Sequence, residues 1–311
     1  MPTNIQPWAG GKLHQISGTQ YLVEWKRLPA SEAANAVSKQ NAEKELLKLI
    51  SVLSAVNAEE MYLLRAVHYF VAGTEPTVPF GVVYELPAVS RLQSPISLMQ
   101  RLEESSKAGN RVLAHSLDQR FELARQIASG ILFIHSVGWV HKGIQSSNIW
   151  MANSLSPGLA YPEHLGTAFL AGFDYTRRSD ATSTGDETVG LGWRRQIYLH
   201  PDRVAAVSTG ETSVLFEPEF DIYALGVVLV EIGRWEPLYT YPKRFEKVTG
   251  LERKQTLKAM ADGMRITMGK RYVDVTLRCL QIRDEGRITR RGGPAIRDTL
   301  MDLEDLAIAA S

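Results

Sequence analysis

Residues 140–149 read VHKGIQSSNI and follow a segment that ends Phe133-Ile134-His135-Ser136-Val137-Gly138. His141 and Asn148 stand seven positions apart, with Gly143 between them. Upstream, Phe121, Ala124, Ile127, Ile131 and Ile134 recur at helical spacing, so a long helix packs one stripe against a core before delivering this polar loop. Ser116 and Gln119 form a capping-box signature at the start of that helix.

Working outward, Lys12 to Lys26 reads as two strands around a Ser17-Gly18 turn. Glu32 to Leu53 has helical character, with Leu46, Leu49, Ile50 and Leu53 on one face. Tyr69 to Pro87 holds a second strand pair that ends in the apolar run Val82-Val83-Tyr84. A polar, serine-rich stretch over 88–116 contains a short helix at Leu98–Glu104. On the far side of the loop, Ile222 to Ile232 is apolar nearly all round, the pattern of a helix at the centre of a large unit. Pro157–Pro162 and Val207–Glu217 read as loops, and Arg297 to Ala309 as a closing helix.

Composition narrows the partners. A formal net charge of +1 gives no reason to expect nucleic acid or an acidic membrane surface. The longest apolar stretch contains Glu231 and is too short to span a bilayer. MPTNIQPWAGGK lacks the apolar core of a secretory leader. Cys279 is the single cysteine, so neither an internal disulfide nor a cysteine metal cage can form, and a reducing, cytoplasmic setting is expected.

With these elements in place, VHKGIQSSNI resembles the catalytic loop of the eukaryotic protein kinases, V-H-R-D-L-K-P-x-N-I. The likeness runs from about Tyr21 to Arg287. Val23-Glu24-Trp25-Lys26 is similar to the V-A-I-K strand, whose lysine holds ATP phosphates. Glu45, nineteen positions later, is the implied partner of Lys26, with Glu43 as a rival. Glu85-Leu86-Pro87 sits at the hinge that meets adenine. Tyr198-Leu199-His200-Pro201-Asp202 resembles Y-x-A-P-E, and Asp221-Ile222-Tyr223-Ala224-Leu225-Gly226 resembles D-x-Y-S-x-G. Cys279-Leu280 and Arg287 reproduce C-L-x(6)-R. The resemblance implies that Asp221 holds the backbone of the loop and that Arg287 pairs with Asp202. It also implies an α+β, two-lobed kinase-like fold, with a small β-rich lobe over 1–87 and a mainly helical lobe over 88–311. Counting back from Lys26 places the glycine-rich loop at Gly10-Gly11, which leaves no room for a full first strand.

The catalytic positions depart from the family. Gly143 replaces the carboxylate that orients the attacking hydroxyl, and Gln145 replaces the lysine that faces the γ-phosphate. Leu170-Ala171-Gly172-Phe173-Asp174 aligns with L-A-D-F-G, so the metal-binding aspartate is Gly172, with Asp174 two positions on. Asn148 remains as a metal ligand, but a neutral amide is a poor site for Mg²⁺. His141 reads as a structural histidine, and Tyr84 narrows the back of the pocket. The expectation is a catalytically silent pseudokinase that works as a signalling or scaffold module through protein partners. Two alternatives stand beside it: a divergent active kinase using Asp174, and a switch that holds ATP through Lys26, Glu45, Glu85 and Leu86 without hydrolysing it. The run from Gly172 to Leu238 resembles the kinase-like domains of fungal proteins that carry an N-terminal helical domain of the prion-inhibition (HeLo) type, so a longer parent protein is also implied. Restoring Gly143→Asp and Gly172→Asp, with Asp174→Gly, is expected from sequence to improve Mg²⁺-dependent nucleotide binding.

Overall fold

The computed structural model describes residues 12–16, 19–26, 36–71, 80–86, 95–107, 115–152, 161, 163–173, 176–178, 192–209, 216–284 and 292–310. Lys12–Ile16 (β1) and Thr19–Lys26 (β2) pair antiparallel, with Ile16 opposite Thr19. The turn expected at Ser17-Gly18 lies outside the described residues. Arg65–Val71 (β3) and Phe80–Glu85 (β4) complete a four-stranded antiparallel sheet in the order β1-β2-β4-β3. β4 is central and is covered on both faces, which is why it reads as an unbroken apolar run. β3 begins at Arg65, ahead of the expected start at Tyr69. A register shift between Ala66 and His68 interrupts the alternation by which a strand is recognised.

Ala36–Ser54 (α1) lays Leu46, Leu49 and Leu53 into the core that Leu22, Val82 and Tyr84 enter from the sheet. Beyond the sheet the chain is mainly helical. Its principal helices are Leu98–Lys107 (α2), Leu117–Ser136 (α3), Pro201–Thr209 (α4), Pro218–Arg234 (α5), Gly250–Asp262 (α6), Arg265–Leu280 (α7) and Gly292–Ala310 (α8). Between them lie two small antiparallel sheets. In one, Ile96–Ser97 (β5) and Thr167–Leu170 (β8) flank Ile149–Ala152 (β7). In the other, Trp139–Val140 (β6) pairs with Arg177–Arg178 (β9).

α5 is buried at every position from Glu219 to Gly233. α3, α6, α7 and α8 pack against it, and α8 lies along α3 with Ile296, Leu300, Leu303 and Leu306 buried. The apolar core runs without a break from Leu22 in β2 to Leu306 in α8. The architecture is thus α+β, an antiparallel sheet joined to a mainly helical remainder. No helix among the described residues is long and apolar enough to cross a membrane.

Two local expectations are corrected. Ser116 sits at the N-cap of α3, but its side chain makes no capping hydrogen bond, and the Gln119 side chain is engaged elsewhere. Its Nε2 donates to Glu163 O at 2.8 Å and its Oε1 accepts from Leu165 N at 2.9 Å, so a tertiary contact displaces the local one. Residues 207–209, expected in a loop, form the last turn of α4.

Candidate functional site

The loop over 141–148 is held from behind by one carboxylate. Asp221, in the first turn of α5 and 1% exposed, accepts from His141 N at 2.7 Å through Oδ2 and from Lys142 N at 2.9 Å through Oδ1. Its Oδ2 also lies 3.0 Å from His135 Nε2 at the end of α3. Lys142 has φ +63°, a left-handed conformation that costs a side-chain-bearing residue about 1 kcal/mol and persists only where surroundings fix it. The two adjacent bonds to Asp221 supply that constraint. Gly143 N donates to His141 Nδ1 at 3.2 Å, and Thr176 Oγ1 donates to His141 O at 3.1 Å.

Asn148 braces the other end. Its Nδ2 donates to Gly143 O at 2.7 Å, and its carbonyl accepts from Ala171 N at 2.9 Å. This second bond ties the loop to the segment that follows β8. There Gly172 has φ +82° and packs against Asn148 so closely that a Cβ at this position would overlap the Asn148 side chain, lying 2.7 Å from its Cβ. A Cβ at Gly143 would lie 3.0 Å from Gly172 O. Gly172 is therefore demanded by close approach and by its positive φ, while Gly143 is only tightly placed.

Sequence reasoning missed the acidic group that does reach this place. Glu24, on β2 and 3% exposed, accepts from Gly172 N at 2.6 Å and from Phe173 N at 3.2 Å. A signal was available, since strand alternation puts positions 22 and 24 on one face and Leu22 is a core residue. The resemblance points to Lys26 instead. The Lys26 side chain lies outside the described residues, while its backbone pairs with Phe80. Glu45, its expected partner, forms an ion pair with Lys48 at 2.6 Å on the half-exposed side of α1. Between α1, β4 and Phe173 there is room for about one water molecule, bounded by Glu24, Leu46, Leu49, Leu53, Val82 and Tyr84.

The remaining expected residues divide. Glu85 pairs with Arg65, its cross-strand neighbour, and Leu86 is buried. Asp174 and Arg287 lie outside the described residues, as does Pro87. Asp202 pairs with Arg283 at 3.3 Å, and Arg283 also holds Glu217. Among the described residues, the donors near Gly143 and Gly172 do not suit Mg²⁺, which wants anionic oxygens at open positions. Asn148 offers a neutral amide, and both oxygens of Glu24 already accept backbone N–H groups. Among the described residues there is no cluster of three potential metal ligands.

His141 is fully buried and rests 4.7 Å from the Phe173 ring, and burial pushes its pKa down to about 4. Burial likewise holds His115 and His200 at about 4. Each is neutral when folded, while the unfolded chain takes up protons near 6.5. Their contribution is therefore whole above pH 6.5 and is lost as pH falls toward 4. Glu231, raised to about 7 by burial, acts in the opposite sense, since its ionisation opposes folding as pH rises from about 4.5 through 7. Three histidines outweigh one carboxyl, so thermal unfolding should occur at lower temperature at pH 5 than at pH 7.5. His141→Gln should remove its share of that difference, about 2 kcal/mol at pH 5. An unchanged pH dependence in the variant would show that His141 is not held neutral.

No family model matches this chain, and no curated protein matches it either.

Proposed function

We propose that this chain is a protein-kinase-like module that has lost phosphoryl transfer and serves as a signalling or scaffold component, acting through protein partners in the cytoplasm. One observation carries the reading: the Asp221 carboxylate clasps the backbone of a His-Lys-Gly loop whose centre and opposite wall are glycine. The clasp fixes the backbone of that loop at His141 and Lys142. At the same time the positions facing each other across it, Gly143 and Gly172, carry no group to accept a proton or to hold a metal. Glu24 supports the same reading, because a carboxylate satisfied by the Gly172 and Phe173 amides sets negative charge beside the place where phosphates would lie.

The test is transfer of labelled phosphate from ATP to the protein itself and to generic protein substrates, alongside thermal unfolding with ATP in the presence and absence of Mg²⁺. The expected result is no transfer above background and no Mg²⁺-dependent stabilisation. Transfer that vanishes in Lys26→Ala would overturn the reading in favour of an active kinase. Stabilisation by ATP alone, without transfer, would make the chain a nucleotide-binding switch.

A further inference from the structure

The turn that follows β8 presents two backbone donors to a single acceptor. Gly172 has φ +82°, and its own N–H and that of Phe173 both point at the Glu24 carboxylate. Oε1 accepts from Gly172 N at 2.6 Å and Oε2 from Phe173 N at 3.2 Å, one oxygen to each donor. Successive N–H groups that converge at a left-handed turn form a concave anion site, since each brings the positive end of a peptide dipole. Here the site is filled from within the chain.

The turn has supports of its own. Leu170 N donates to Tyr62 O at 2.9 Å, and Ala171 N to Asn148 O at 2.9 Å. Thr176 Oγ1 donates to His141 O at 3.1 Å on the far side. These bonds shape the turn without Glu24, so the two amides form a site and not merely a contact. Glu24 is buried on β2, and burying a carboxylate is costly unless donors meet it. The cavity that this carboxylate lines has room for about one water molecule. A second oxyanion therefore cannot share the turn with it.

We propose that Gly172 and Phe173 form an oxyanion site and that Glu24 is its tethered occupant, an autoinhibitory contact that keeps the oxyanions of other molecules out. Charge-assisted bonds to an ionised acceptor are stronger than neutral ones, which suits a carboxylate to this role. The tether adds to its hold, because an occupant carried on the same chain competes at a high effective concentration. Seated there, Glu24 also couples β2, through Phe173 and Thr176, to His141 in the loop.

Glu24→Ala removes the heavy atoms of an acetate ion, so potassium acetate is the probe. The test compares thermal unfolding of the intact chain in potassium acetate with potassium chloride, at matched ionic strength and pH 7. In Glu24→Ala the expected result is a saturable rise in Tm, about 2 °C at a tenfold excess over half-saturation. Wild type keeps its own occupant, and Glu24→Gln fills the space with a neutral group. Both should show only the general salt effect, which grows with concentration without saturating. If Glu24→Ala is unfolded in chloride, acetate should raise its folded fraction by mass action, read by circular dichroism. A second measurement uses amide hydrogen exchange in Glu24→Gln, where Gly172 or Phe173 should exchange about tenfold faster than in wild type as one donor loses its acceptor. A saturable rise in wild type, no acetate effect in Glu24→Ala, or unchanged exchange at both amides in Glu24→Gln would each overturn the proposal. None of these readouts involves phosphate transfer, so this inference and the proposed function fail separately.

Discussion

Asp221→Ala is expected to destabilise the protein by about 4 kcal/mol, since it leaves the buried N–H groups of His141 and Lys142 without an acceptor. The His135 imidazole loses its partner in the same step. Lys142 would also lose one of the two adjacent bonds that hold its left-handed conformation. Asp221→Asn should cost less, about 2 kcal/mol, because its amide oxygen still accepts one N–H while its NH₂ faces the other. Urea denaturation monitored by tryptophan fluorescence measures both. A loss under 1 kcal/mol for the alanine variant would mean that the loop holds its shape without the clasp.

The second large effect concerns Gly172. From sequence alone, Gly172→Asp, introduced together with Gly143→Asp and Asp174→Gly, should improve Mg²⁺-dependent nucleotide binding. The geometry reverses that expectation. A Cβ at φ +82° is strained by itself, and here it would also overlap the Asn148 side chain that holds Gly143 O. Gly172→Asp should cost about 3 kcal/mol of stability and give no gain in Mg²⁺-dependent binding. Asn148→Ala removes the amide and leaves only its Cβ in the way, so the double variant should be more stable than the sum of the two losses predicts, by about 1 kcal/mol. Strict additivity in that cycle would show that the two side chains do not compete for one space. Gly143→Asp is milder, because its new Cβ would meet Gly172 O at a tight but tolerable 3.0 Å.

These two positions also show where a sequence speaks and where it is silent. α5 was legible because a helix with no polar face must be covered on every side, and residues 219–233 are. Asp221 was pointed to by the family resemblance alone, which gives the aspartate at the start of that helix the backbone of the loop to hold; its burial was not legible. The β1–β2 hairpin followed from its alternation. Glu24 was not foreseen, because a glutamate in a strand is ordinarily an outward charge, and only the position of Gly172 and Phe173 turns it into a buried acceptor. The same limit applied to Gln119, whose local capping pattern was outweighed by partners more than forty residues away. Short pairings such as β6 with β9 leave no periodic trace at all, being two residues long. The family resemblance pointed to Lys26 and Glu45. It could not report that Glu45 would find Lys48 within its own helix.

The seating of α8 along α3 bears on how the molecule is made. α3 exposes an apolar stripe as soon as it leaves the ribosome, yet Ile296, Leu300, Leu303 and Leu306, which cover part of it, follow far later in the chain. At a translation rate of about 5–20 residues per second, the interval between the two helices is roughly ten to thirty seconds. Through that time the nascent chain must shield the stripe with temporary contacts or with a chaperone. A chain released early, with α8 missing, should therefore be captured by the cell's quality-control machinery even though the 141–148 loop and its Asp221 clasp are already encoded in full.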